Sequence, residues 1–230
     1  MRDDEFFWFY SDVIAEAVQY GKRTELCEKV LKLKNQYPKI NEMIYDWQVG
    51  KTMKRDHYWS VSLQKETIDF NSHGRQWTYQ YCSEFGYFKT PAKTTLPLKN
   101  MVLDLNFWHE YCSRIFGRDT YPSTKQWNIR HGGGNPAISK VIYMNGDEDP
   151  WKQTCISETK NPFIHVFQNI CDNCAHCVDL NTVVGPEIKK NRSKAEQIVK
   201  RWLKLEKKIE KMEVAPSDRE AMTLKTLWSN

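Results

Sequence analysis

Val141-Ile142-Tyr143-Met144-Asn145-Gly146-Asp147-Glu148-Asp149-Pro150-Trp151 is the stretch on which the fold is read, together with Phe163-Ile164-His165-Val166-Phe167 and Ala175-His176-Cys177-Val178-Asp179-Leu180 beyond it. The runs 141–144 and 163–167 are short, apolar and rich in β-branched and aromatic residues, which marks buried strands rather than helices. An acidic loop leaves the first strand, and a loop carrying a histidine leaves the second. Within the acidic loop Asp149 stands apart from Asp147 and Glu148, because Pro150 follows it. A proline fixes its own backbone and holds the preceding residue extended, so the Asp149 carboxylate is given a defined direction.

Composition narrows the class of protein. Aromatic residues make up 13% of the 230, with nine Trp, eleven Tyr and ten Phe. That many large rings argues for a packed core and against disorder. The net charge is +5, from 34 basic and 29 acidic residues. The basic excess concentrates between Lys189 and Lys211, on one face of an amphipathic pattern, where lysines opposite an apolar stripe read as a solvated surface. No recognised nucleic-acid module accompanies it, so no nucleic-acid partner is expected. No run approaches the roughly 18 apolar residues that span a bilayer, and no membrane association is expected. Seven cysteines favour an oxidising compartment. The acidic opening Met1-Arg2-Asp3-Asp4-Glu5 lacks the basic-then-apolar layout of a signal peptide. The two readings are reconciled if the chain is a C-terminal piece of a longer protein.

Apolar residues at three- and four-residue spacing predict a helix from Glu5 through Val18, stopped at Gly21, and a second capped by Thr24 and running to Leu33. Residues 38–70 read weakly as helices, and Pro91 to Pro97 as a loop. A helix through Leu103, Phe107, Tyr111 and Ile115 ends at Gly117. The last helix follows Gly185-Pro186, presents Ile188, Ala195, Ile198, Val199, Trp202, Leu205 and Ile209 on one face, and stops at Pro216. Asn191-Arg192-Ser193, at its start, spells a glycosylation sequon.

An acid after one strand and a histidine after the next is the order in which an α/β-hydrolase completes a Ser–Asp–His triad. In that arrangement Asp149 accepts a hydrogen bond from Nδ1–H of His176, and His176 acts as the general base. No Gly-x-Ser-x-Gly elbow occurs in the 230 residues, so the pair stands without its nucleophile. The competing reading is a zinc site built from Cys171, Cys174, His176 and Cys177. Structural zinc usually draws two ligands from each of two separated segments, and no second knuckle accompanies these four. His131-Gly132-Gly133-Gly134 spells the oxyanion-hole motif of lipase-type enzymes, but it precedes the acid rather than the nucleophile and reads as a turn.

Several blocks beyond the pair carry a family resemblance. They are Trp77-Thr78-Tyr79-Gln80-Tyr81-Cys82-Ser83-Glu84-Phe85-Gly86, Cys112-Ser113-Arg114-Ile115-Phe116-Gly117, Asn128 to Gly133, Asn145-Gly146 with Asp149-Pro150-Trp151, and Ala175-His176 with Asp179-Leu180. In this order and at these gaps they resemble the serine carboxypeptidase family of lysosomal prolylcarboxypeptidase, the lysosomal dipeptidyl peptidase that releases X-Pro dipeptides, and thymus-specific serine protease. They are nearest the thymus-specific form.

The resemblance implies an α/β class fold, the C-terminal part of an α/β-hydrolase with most of a helical cap and without the nucleophile half. Residues 1–100 would belong to the cap, 101–215 to the hydrolase domain carrying the acid and histidine loops, and 216–230 to a tail. It implies Asp149 and His176 as catalytic residues, a Cys82–Cys112 disulfide, and Trp151 as a candidate wall of the proline pocket, with a packing role for so large a ring as the equal alternative. Cys27, Cys155, Cys171, Cys174 and Cys177 are left without assigned partners. The implied activity is that of a serine exopeptidase acting next to proline in short peptides, as a dipeptidyl peptidase or a carboxypeptidase. Its partners would be proline-containing peptides; it needs no cofactor, allows a homodimer, and belongs to the lysosome or the exterior. Without the elbow, the 230 residues alone are expected to be inactive. The alternative is a hydrolase-like protein that binds peptides without cleaving them.

Overall fold

The computed structural model describes residues 2–49, 63–64 and 73–210. The expected helices within 50–62 and 65–70, the helix end at Pro216 and the tail at 216–230 lie outside the described residues. Contacts divide the chain into two compact units, one of residues 1–17 with 24–133 and one of residues 18–23 with 134–230.

The first unit is helical. Helix α1 (Asp3–Gln19) opens with three acids in its first turn, where carboxylates complement the N-terminal dipole. It buries Phe9, Val13 and Ala17, spaced four apart on one face. Helices α2 (Arg23–Lys32) and α3 (Tyr37–Val49) follow, and α4 (Gly74–Gln80) runs into a π-helical turn at Tyr81–Phe85. Helix α5 (Leu105–Phe116) starts where Asp104 accepts a hydrogen bond from the Phe107 amide at 3.0 Å. Leu103 and Trp108, both buried, occupy the two positions of a hydrophobic staple around that cap.

Helix α5 carries the centre of the core. Phe107, Trp108, Tyr111, Cys112 and Ile115 form its buried face. Trp8 of α1 meets Trp108 and Tyr111 edge-on, with ring centroids 5.1 and 4.8 Å away. The Cys82–Cys112 disulfide ties the π turn to α5 with Cα atoms 5.5 Å apart. Glu5, almost fully enclosed, receives the Arg114 guanidinium at 3.3 Å. Helix α6 (Thr124–His131) closes on Gly132 at φ 83°, whose amide donates to Asn128 O at 2.9 Å. His131-Gly132-Gly133 is thus the left-handed cap of a helix, where glycine avoids the Cβ clash.

The second unit contains the sheet. Strands β1 (Val141–Gly146) and β2 (Ile164–Asn169) pair in parallel, with Val141 opposite Ile164 and Gly146 opposite Asn169. Parallel pairing needs a crossover of about a dozen residues or more, which the segment from Asp147 to Phe163 supplies. Helix α7 (Pro186–Glu210) begins on a proline, whose absent N–H is not needed in a first turn. It lies against β2, with Trp202 5.8 Å from the His165 ring and Lys194 Nζ 5.8 Å from the Phe167 ring. Asn191 is 3% exposed and donates to Gln168 O at 3.1 Å and to Asn169 Oδ1 at 3.0 Å. The sequon asparagine therefore secures the end of β2 to the helix from inside the fold. No described helix is long and apolar enough to cross a membrane.

Candidate active site

Both loops that matter leave the C-terminal ends of the paired strands. Gly146, the last residue of β1, lies so close to the second loop that an added Cβ would sit 2.3 Å from Cys174 O and 2.7 Å from Ala175 O. Glycine is required there to let the acidic loop and the histidine loop touch. Backbone bonds then stitch them. Asp147 N donates to Asn169 O and Glu148 N to Cys174 O, both at 3.0 Å.

Asp149 caps a 3-10 turn at Pro150–Thr154, with φ −74° and ψ 118°, the extended state that a following proline imposes. Its Oδ1 accepts the Trp151 amide at 2.8 Å, and its Oδ2 lies 2.8 Å from His176 Nδ1. The carboxylate can only accept, so Nδ1–H donates to it, and Nε2 lies on the side of the ring away from Asp149. Asp149 is buried, whereas the His176 side chain keeps 32% of its surface exposed. The arrangement is an oriented imidazole with a buried carboxylate behind it and an open nitrogen in front. Trp151 flanks the histidine with ring centroids 6.2 Å apart. Tyr20 lies at the same separation, edge-on.

The structure settles the cysteines that the sequence left open in part. Cys171 and Cys174 form a disulfide, with Cα atoms 5.1 Å apart. Cys27, Cys155 and Cys177 are free. This corrects the zinc reading of Cys171, Cys174, His176 and Cys177. Two of the four sulfurs are bonded to each other and His176 Nδ1 is engaged by Asp149. The Cys177 thiol is pushed up, by partial desolvation first and then by the carboxylates of Asp179 and Asp149. Among the described residues no group of three or more His, Cys, Asp or Glu is arranged to hold a metal ion. Cys155 is pushed up in the same way, by partial desolvation and by Asp149.

Three supporting residues carried no sequence signal of their own. Gln19 O accepts the His176 amide at 2.8 Å, and Gln19 Oε1 accepts Trp151 Nε1–H at 2.9 Å. Arg23 Nε and Nη2 each reach Glu148 at 3.0 Å, and this pairing holds the Glu148 carboxyl below its ordinary range.

Comparison with known proteins decides the family. Serine carboxypeptidase S28 matches residues 7–195. The chain belongs to the serine carboxypeptidase S28 family. Over 193 residues it is 28% identical to "Probable serine protease EDA2" of Arabidopsis thaliana, an alignment covering 77% of the chain and 37% of that protein. Over 136 residues it is 31% identical to thymus-specific serine protease of Mus musculus, covering 56% of the chain and 26% of that protein. A "Probable extracellular serine carboxypeptidase" of Arthroderma benhamiae is 25% identical over 147 residues, covering 57% and 20%. The chain thus spans about a third or less of the length of these relatives. No solved structure matches it. The helices and small parallel sheet are consistent with part of an S28 peptidase domain, and the family is one of serine-type peptidases.

Proposed function

We propose that this S28 chain supplies the acid and the base of a serine-type exopeptidase that cleaves next to proline in short peptides. The observation that carries the reading is the 2.8 Å contact between His176 Nδ1 and Asp149 Oδ2, made from loops that leave adjacent parallel strands. In the proposed reaction His176 Nε2 takes the proton of a serine hydroxyl as it attacks the scissile carbonyl, then returns it to the leaving amine. Asp149 holds the tautomer and stabilises the imidazolium. The 230 residues hold no Gly-x-Ser-x-Gly elbow. The nucleophile and the oxyanion hole are therefore assigned to a segment of an α/β-hydrolase fold outside them, and Trp151, beside His176, to the wall that receives the proline ring. The two disulfides support a lysosomal or extracellular setting.

The missing elbow also favours a second reading, a hydrolase-like protein that binds peptides without cleaving them. A fluorophosphonate probe separates the two, because labelling needs an activated serine. In a protein that carries the serine, His176→Ala should lower kcat for X-Pro peptides by about 10⁴-fold with the fold retained. Hydrolysis persisting at the parent rate would remove His176 from the mechanism.

A further inference from the structure

Arg23 lies at the start of α2, far along the chain from either strand-end loop, yet its guanidinium touches both. Nε and Nη2 fork onto the two oxygens of Glu148, each at 3.0 Å, and Nη2 also donates to Asp172 Oδ1 at 3.0 Å. Glu148 is the neighbour of Asp149, and Asp172 belongs to the loop that carries His176. Glu148 Oε1 also accepts the Asn173 amide at 3.1 Å, so one carboxylate joins Arg23 to both loops. The bond from the His176 amide to Gln19 O anchors the histidine loop to the same segment, residues 18–23.

We infer that Arg23 is a positioning residue, which fixes the acid loop against the histidine loop and so sets the Asp149–His176 geometry. The inference rests on the acid–base reading of that pair. Energetics separate positioning from simple stabilisation. The Arg23 side chain is 42% exposed and Asp172 79%, and ion pairs this open to water contribute little to folding. What the fork supplies is direction. A planar guanidinium with two parallel N–H bonds to one carboxylate fixes both distance and angle, which a lysine ammonium does not. Misplacing a reacting group by about 1 Å costs on the order of 100-fold in rate, so a contact of small stability can carry a large catalytic consequence.

The test reads the His176 Nδ1 proton directly, by NMR of the intact 230-residue chain with ¹⁵N-labelled histidine. In Arg23→Gln, exchange of that proton with water is expected to rise about tenfold or more while circular dichroism stays that of the parent. Arg23→Lys, which keeps the charge and loses the fork, should fall between. Exchange within about twofold of the parent in a folded Arg23→Gln chain would overturn the inference. If Arg23→Gln does not fold, the same comparison is made on Arg23→Lys, with unchanged exchange again overturning it. Peptide hydrolysis is assayed separately in a protein that carries the serine. Absence of cleavage there with accelerated exchange here would remove the peptidase reading and leave the positioning role standing.

Discussion

The unit of residues 1–17 and 24–133 encloses aromatic rings, whereas the unit of residues 18–23 and 134–230 encloses loops and backbone. In the first, Trp8, Phe107, Trp108 and Tyr111 are buried around one another and the ring contacts form a continuous network. In the second the buried apolar cluster is Cys174, Val184 and Ile188, and the strand ends are held by amide bonds, a disulfide and a guanidinium fork. Apolar packing stabilises without specifying direction, while hydrogen bonds specify direction and contribute modestly to stability. The acid–histidine pair sits in the directional unit, where an imidazole can be aimed.

The contrast breaks most sharply at a residue with no side chain. Gly146→Ala forces a Cβ to within 2.3 Å of a backbone oxygen, and neither atom can swing aside as a side chain would. Its cost should exceed about 4 kcal/mol, as large as deleting a core aromatic from the first unit. Gly185→Ala is the control, since nothing lies within 4 Å of a Cβ there. Denaturant unfolding of both variants checks this. Equal midpoints would mean that the loops are not held at the close approach described.

The two disulfides sharpen the comparison at intermediate size. Cys82–Cys112 closes a separation of 30 residues and Cys171–Cys174 a separation of 3. Loop entropy assigns about 4 kcal/mol to the first and about 2 kcal/mol to the second. Replacing each pair by alanine should therefore lower the melting temperature more for Cys82–Cys112. The Cys171–Cys174 variant should instead loosen amide protection around His176, measured by hydrogen exchange. The reverse order of melting temperatures would place the stability of the chain in the histidine loop.

What the sequence disclosed follows the same division. Periodicity located α1, α2 and α5 because each buries one face at helical spacing, and Gly21, at φ 68°, and Gly117 stop helices as expected. The apolar runs at 141–144 and 163–167 became β1 and β2, although both strands extend two residues further into polar sequence. Asp149 and His176 were legible because strand, loop and motif coincide along the chain, and the Cys82–Cys112 bond came from family likeness alone. Arg23 and Glu148 are separated by 125 residues, and the Gln19–Trp151 contact by 132. Nothing local marks such partners, since a lone arginine or glutamine near a helix terminus looks like ordinary surface. The Cys171–Cys174 bond was hidden differently, because a Cys-x-x-Cys spacing suits a metal and a disulfide alike. Gly146 was hidden as well. Asn145-Gly146 is a common hairpin turn, and only the tertiary approach of residues 174–175 shows why the glycine is needed.

The smallest predicted effect concerns acid. Glu148 has its carboxyl held below the ordinary glutamate range by the Arg23 fork first and by the Asn173 amide after it. A carboxylate with a lowered folded value contributes stability that is fully present above its unfolded value of about 4.3 and is lost as pH falls through the folded value. The fork should therefore remain closed at mildly acidic pH and open only in stronger acid. Because the pair is partly exposed, its contribution is about 1 kcal/mol or less, equal to a few degrees of melting temperature at this chain length. Melting temperatures of the parent and of Glu148→Gln, taken from pH 6 down to about pH 3, should differ at the upper end and converge at the lower. A difference that stays constant with pH would show that Glu148 acts by its shape and amide contact rather than by its charge. The directional character of this unit would then rest on its backbone bonds alone.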